Sequence, residues 1–440
     1  MKNETKANMN GWKSFTFFHR MRGEKLFIMM LLVWCIMAEI EVKGQGKEIT
    51  KKNITFIEYP DFPGKVSTWG SIGYNAKYNT VFIGVTNHHD RVGFYEYNPA
   101  LKKMKLKGFI NDLGYLRPYQ WQAKIHSKIV FGSDGMTYFT TDGGESREEY
   151  LMDHPAGYVG GVFMKWNPST NTMTNLGMAM PYESLKDIDI DMETNLLYAV
   201  SYPQAHFLVF DPAKNDLRDL GRLGSSHVPR VLFTDWWGNC YYVDWRQRLV
   251  KYEKDKGILV FAKNSLPAFE GTPGGKIITG ITAFAKDHEN KIIYLVTYGA
   301  KVIAFHPQKE GIGPVEDLGG VADTGDQPEW TPYVPNLNFG NNGKLYYLVG
   351  GHGNYVKENA TILMELNPKT HSRRIIYEFP SNELGEATGS DIKDKDGNLY
   401  FAGRGELIPA PGQASSEYFE GKPNSQPIMV KFNPTKEVQK

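Results

Sequence analysis

The sequence predicts an all-β fold: a seven-bladed β-propeller closed by pairing of an N-terminal strand with the last blade. Three observations carry this. A short turn recurs as Asn98-Pro99, Asn167-Pro168, Asp211-Pro212, His306-Pro307, Asn367-Pro368 and Asn433-Pro434, with a proline-less version at Glu253-Lys254. An aromatic or β-branched run precedes each copy, and a second run stands about a dozen residues or more before that, so strand–turn–strand–turn repeats every ~40 to 70 residues. Long segments of 3.6-residue apolar period are scarce, so helices contribute little.

In chain order, Leu26 to Ala38 comes first, a run of thirteen apolar residues behind Arg20, Arg22 and Lys25. It is too short to span a bilayer and fits the apolar region of a signal peptide. Residues 1–44 are therefore expected to be a leader, with Gln45 starting the mature chain. Residues 45–440 are expected to form a single propeller domain, secreted, periplasmic or at the cell surface. No transmembrane segment is expected. Cys35 falls in the leader, which leaves Cys240 alone and excludes a disulfide framework. Cys240 is expected to be a small buried hydrophobe.

Repeat four reads most clearly. Val231 to Thr234 is its inner strand, Trp237-Gly238-Asn239 a tight turn, Cys240 to Trp245 the second strand, Leu249 to Tyr252 the third and Leu259 to Lys263 the outer one. Gly and Asn tolerate the positive φ of such turns. The first turn returns as Ser133-Asp134-Gly135, Asn341-Asn342-Gly343 and Asp396-Gly397-Asn398. Asp394 to Gly397 resembles the start of a calcium loop but lacks the later glutamate, so a hairpin turn is expected instead. The last repeat ends at Asn433-Pro434 with too little chain left for an outer strand. Ile54 to Tyr59 is expected to supply it, which leaves no open sheet edge.

Charge excludes one class. Lys and Arg total 50 against 49 Asp and Glu. No basic stripe stands out to displace the counterions of a nucleic acid, so none is expected as partner.

The topology singles out one face. The chain enters each inner strand on a face here termed the top, and returns there between strands two and three. The long insertions fall on it: Thr141 to Val159, Leu318 to Pro335 and Gly403 to Pro427. Long loops on a rigid scaffold carry function. The same face collects His89, Gln122, His126, Asp142, Arg147, Tyr202, His206, Arg230, Trp245, Arg246, His352 and Arg404. Such a funnel suits a charged sugar: Trp and Tyr offer flat apolar faces, and Arg binds a uronate carboxylate through two donors. His88 and His89 are neighbours and point to opposite faces of a strand, so at most one reaches a ligand. No metal set and no cofactor are read from the sequence.

The segments Ile125-His126-Ser127-Lys128-Ile129, Tyr202-Pro203-Gln204-Ala205-His206-Phe207 and Val228-Pro229-Arg230 resemble a superfamily of secreted bacterial seven-bladed propellers. It contains ulvan lyases, rhamnose–glucuronate lyases, and α-L-rhamnosidases that remove rhamnose from α-1,4-linked glucuronic acid in arabinogalactan glycans. The resemblance is closest to the rhamnosidase branch. It implies a glycoside hydrolase, with a uronate-directed lyase or a catalytically silent glycan-binding propeller as alternatives. It implies a uronic-acid oligo- or polysaccharide as partner and catalytic roles for His126, Tyr202 and Arg230; a monomer is expected. His89, Gln122, Asp142, Arg147, His206, Trp245, Arg246, His352 and Arg404 would bind substrate. Where the lyases carry a second histidine, this chain has Thr140-Thr141-Asp142-Gly143-Gly144. The rhamnosidase branch is implied to use a histidine on the opposite, bottom face. His288, His306 and His371 lie there, in ordinary turn contexts.

Overall fold

The computed structural model describes residues 53–60, 68, 70–87, 91–143, 158–223, 231–267, 280–298, 300–322, 334–349, 360–380, 384–405 and 426–435. They lie in the compact unit Ile49–Lys440; the unit Met1–Glu48, and with it the expected leader, lies outside the described residues. Strands run antiparallel within each repeat, in chain order from the inner strand outward. The chain is an all-β propeller.

The register within a repeat follows from composition. Second strands such as Thr80–Thr86 and Leu345–Val349 are buried along their whole length, because both sheet faces lie against a neighbouring repeat. Outer strands such as Asp216–Arg222 expose alternate or more residues and carry the charge. Aromatic pairs join consecutive repeats: Phe163 stacks on Phe210 at 4.6 Å between ring centroids. In the next layer Phe233, Tyr241, Phe284 and Phe305 form one buried cluster across repeats four and five.

The expectation of seven separate blades is corrected. Five repeats stand as separate four-stranded sheets, whereas repeats six and seven run together as one eight-stranded sheet. Their inner strands, Asn336–Phe339 and Glu386–Ser390, pair in parallel through Asn336↔Gly389 and Leu337↔Ser390. Two asparagines account for the junction. Asn336 and Asn338 are fully buried and sit two apart, on one side of the strand. The Asn336 amide donates to the carbonyls of Leu348 and Ala387, at 3.2 and 2.9 Å, and accepts from the Leu348 N–H at 2.6 Å. The Asn338 amide donates to the Tyr400 carbonyl and accepts from the Ile392 N–H. Side-chain amides thus supplement a parallel backbone pairing that the other described inner strands lack. Repeat five leans on the same junction, with Phe284 N–H donating to Ser390 Oγ and Lys286 N–H to Asp391 Oδ1.

The expected ring closure is present. Ile54–Glu58 pairs antiparallel with Gln426–Phe432, from Ile54↔Phe432 to Glu58↔Ile428. Cys240 is a free, buried thiol. The Asp394 carboxylate takes the N–H groups of Asp396 and Asn398, the Asn398 amide and the Tyr400 hydroxyl, so it closes a hairpin turn. Gly397 and Gly238 hold φ of 78° and 77° in these first turns, a backbone region open to glycine.

Candidate functional site

The best-defined group of chemistry-bearing residues lies where repeats two and three meet at the top face. The segment before the inner strand of repeat two bridges backbone to backbone with Asp142. Asp142 N–H donates to the Lys124 carbonyl, and Ala123 and Lys124 N–H donate to the Asp142 carbonyl. This fixes Asp142 beside the inner strand of repeat three, Ser184–Ile190. That strand carries a β-bulge between Leu185 and Asp187, which lets Lys186 and Asp187 serve two neighbours at once.

Asp142 is fully buried. It accepts from Lys186 Nζ at 2.8 Å and from Ser184 Oγ at 2.9 Å. Burial alone would raise its carboxyl; the ammonium groups of Lys186 and Lys124, with His126, outweigh burial and hold it well below the usual carboxylate range. The Lys186 ammonium also lies 4.4 Å from the centroid of the Tyr202 ring. His126 Nδ1 lies 3.0 Å from the Lys186 carbonyl, which only accepts, so Nδ1 carries the proton. One step deeper, Lys128 Nζ contacts Asp187, donates to the Leu232 carbonyl at 2.7 Å, and lies 5.4 Å from the Phe284 ring centre. Lys128 thereby links repeats two, three, four and five.

His126, Asp142 and Tyr202 are brought together as expected. Gln122 lies beside them but is fully buried: its amide donates to the carbonyls of Gln120 and Gly160 and accepts from the Tyr158 hydroxyl. His206 does not converge on the group. It pairs with Asp219 of its own outer strand, at 2.9 Å. Arg404 lies within the strand Leu399–Gly405 and is 2 % exposed, so it is no surface contact. Trp245 and Arg246 sit apart on the turn of repeat four. Asp244 holds that turn by accepting from Arg246 and Arg248 N–H and from the Arg248 guanidinium, leaving the Trp245 ring 57 % exposed with the Arg246 guanidinium 4.7 Å from its centroid. His89, Arg147, Arg230 and His352 lie outside the described residues. Among the described residues, no group of three His, Cys, Asp or Glu is placed to hold a metal ion.

Sequence reasoning missed Lys186, Lys128, Asp187 and Glu183. Glu183 is buried and holds the Tyr202–His206 turn through Ser201 Oγ and Gln204 N–H. The signal was there in Glu183-Ser184-Leu185-Lys186-Asp187-Ile188-Asp189, an inner strand with four charged residues in seven. Charge in such a place needs partners, because an unpaired buried ion is costly.

No family model matches this chain and no curated protein matches it. Among solved structures it is similar to the WD40 repeats of RRP9, at 8% identity over 88% of this chain and 99% of that one, with a TM-score of 0.55. It is similar to U3-55K, at 9% identity over 87% and 98% of the two chains and a TM-score of 0.53. It is also similar to YCF48 from Cyanidioschyzon merolae, at 10% identity over 87% and 100% and a TM-score of 0.51. At such identities the likeness carries the propeller fold alone.

These findings overturn the sugar-cleaving expectation. The solved neighbours named include the WD40 repeats of RRP9 and no glycoside hydrolase or lyase, and the short-motif resemblance has no matching family behind it. Asp142 itself is buried and ion-paired, so it is not placed to contact a ligand. The rhamnosidase, lyase and glycan-binding readings are withdrawn, and the uronate glycan as partner goes with them.

Proposed function

We propose that this chain is a propeller scaffold that binds protein partners through its top face and performs no chemistry there. The observation that carries this is the division of labour on that face. Between repeats two and three Asp142, Asp187 and Glu183 are buried and the half-buried Lys186 and Lys128 are ion-paired with Asp142 and Asp187, while Trp245, Arg246 and Tyr202 are presented on the neighbouring turns of repeats three and four. Trp, Tyr and Arg are the residue types that dominate the energy of protein interfaces. A WD40-repeat neighbour supports the reading at the level of fold. We further infer that the eight-stranded sheet is two blades sharing an inner-strand junction, so that the ring counts seven repeats. The run Leu26 to Ala38 supports export of the chain, with a mature terminus at Gln45 as the expected result of mass spectrometry.

The test is affinity capture from the native source with the wild-type chain and a Tyr202→Ala/Trp245→Ala/Arg246→Ala variant. The variant should keep its melting temperature and lose a protein that the wild type retains in stoichiometric amount. Identical capture by both would refute the top-face assignment.

A further inference from the structure

We propose that a cleft between repeats five and six on the bottom face binds a primary alkylammonium group, held as the seam between repeats three and four holds the ammonium of Lys254. The site is separate from the top-face surface and does not depend on it.

Strand register makes the two seams comparable residue by residue. Asp287 pairs with Ile292 at the end of the inner strand of repeat five, and Asp191 N–H bonds to the Leu196 carbonyl at the same point of repeat three. Tyr294 therefore stands where repeat three has Tyr198, and Glu289 where it has Glu193. Across the seam, the pair Leu345↔Leu366 of repeat six matches Cys240↔Tyr252 of repeat four. Pro368 therefore stands in the place of Lys254.

Between repeats three and four, Lys254 Nζ lies 2.9 Å from Asp191 Oδ2 and 3.3 Å from Glu193 Oε2. The Tyr198 hydroxyl joins the same seam by donating to the Gly238 carbonyl at 2.7 Å. Repeats five and six have both acids and the tyrosine but not the lysine. On the third strand of repeat five, Ala304 also replaces the larger Val209. The seam there holds a cleft of about 890 Å³, lined by Asp287, Glu289, Tyr294, Ala304 and Pro368 among others. That is within the range of about 300–1,000 Å³ typical of ligand sites.

Two buried polar groups of the cleft are unmatched. Asp287 is buried and accepts from the N–H groups of Glu289 and Asn290 and from the Asn290 amide, but among the described residues it has no ion pair. A buried carboxylate without a cation is costly. Tyr294 is 4 % exposed, and its hydroxyl makes no hydrogen bond among the described residues. Burial, with Asp287 and Glu316 nearby, pushes this phenol up to about 12, so it stays protonated and its oxygen can accept. An ammonium entering here meets a carboxylate and a hydroxyl oxygen. The Tyr294 ring, stacked on Phe339 at 5.5 Å between centroids, offers the alkyl stem an apolar surface.

The cations of the chain itself stand elsewhere. Lys286 Nζ is turned onto Thr234 Oγ1 of repeat four at 3.3 Å. Lys393 Nζ lies 5.8 Å from the centre of the Phe339 ring. Lys369, one residue after Pro368, is exposed at the rim and has no ion pair among the described residues. His288 accepts from Trp236 Nε1 at 3.2 Å, and burial holds it below the usual histidine range. Asp287, Glu289 and Glu316 thus face only two ammoniums, those of Lys369 and Lys393.

The test is calorimetric titration of the full chain with n-pentylamine at about pH 7, where the amine is charged. One site with a Kd of about 1 mM or tighter is expected, with 1-pentanol at least about tenfold weaker because it brings no charge to Asp287. Pro368→Lys, which gives repeat six the lysine of repeat four, should abolish amine binding and raise the melting temperature. Glu289→Gln, on the exposed turn, should keep the melting temperature and weaken binding about two- to fivefold. Lys369→Ala should bind at least as tightly as wild type. A capped Gly-Lys-Gly peptide separates the sources of the ammonium: tighter binding than pentylamine supports a lysine side chain of a partner, and weaker binding supports a free amine. No amine binding, equal binding of pentanol, or wild-type affinity in a folded Pro368→Lys chain would overturn the proposal. If Pro368→Lys does not fold, unchanged affinity in Glu289→Gln overturns it instead. Failure here leaves Trp245-dependent capture untouched, and failure of that capture leaves amine binding untouched.

Discussion

At the top of repeats two and three, Asp142, Lys186 and His126 are locked to one another and to Lys124 and Tyr202. At the bottom of repeats five and six, His288, His306 and His371 surround an open cleft with lysines beside them. Both regions are rich in the residue types that do chemistry, yet they have opposite properties. In the first, the cations around the buried Asp142 hold its carboxylate charged against the cost of burial. In the second, the side chains lie at or near the surface, with His371 beside Glu316 and His288 accepting from Trp236. A cluster of titratable residues is therefore not enough to mark a site; what matters is whether its charges are already matched within the fold.

The largest expected effect is on the locked region. Asp142→Ala leaves Lys186 and the buried Lys124 without their carboxylate and should cost about 3–5 kcal/mol, read by chemical denaturation. The pH dependence sharpens this. The folded carboxyl lies below its ordinary value of 3.8, so its contribution is complete above that value and is lost as pH falls through the lowered folded value. Asp142→Asn should therefore flatten the decline of stability below about pH 4. An unchanged acid limb would mean that the pair is not the lock proposed.

Next in size is the junction beside the cleft. Asn336→Ala removes two donated bonds and one accepted bond at a fully buried position. It should cost about 2–4 kcal/mol, since buried partners are left unmet at roughly 1–3 kcal/mol each. Hydrogen exchange should then rise in Asn336–Phe339 and Glu386–Ser390 before it rises elsewhere.

The open region should scarcely respond in stability. His306→Gln and His371→Gln should each shift it by no more than about 0.5 kcal/mol. The smallest effect belongs to Trp245→Ala, also within about 0.5 kcal/mol, because the ring is mostly solvated and its turn is held by Asp244. A loss of several kcal/mol in either experiment would erase the contrast between the two faces.

Much of the fold was legible before any coordinates. The turn at Asn98-Pro99 and its copies marked the repeats, and the missing outer strand after Asn433-Pro434 pointed to Ile54–Glu58. The site was legible only in part. His126, Asp142 and Tyr202 were placed together because repeat order determines which turns are neighbours. Gln122, His206 and Arg404 were misplaced because sequence position gives the face of the ring and not the direction or burial of a side chain.

The sequence by itself determined the all-β repeat, its turns and the strand that closes the ring, because strand period and turn chemistry are local properties. Only the tertiary structure decided that Asn336 and Asn338 would join two repeats into one sheet, that Asp142 would be consumed by Lys186, and that His288, His306 and His371 would border one cleft. Those outcomes depend on which groups meet across repeats and on how much water remains between them. Neither is written in any one segment of the chain.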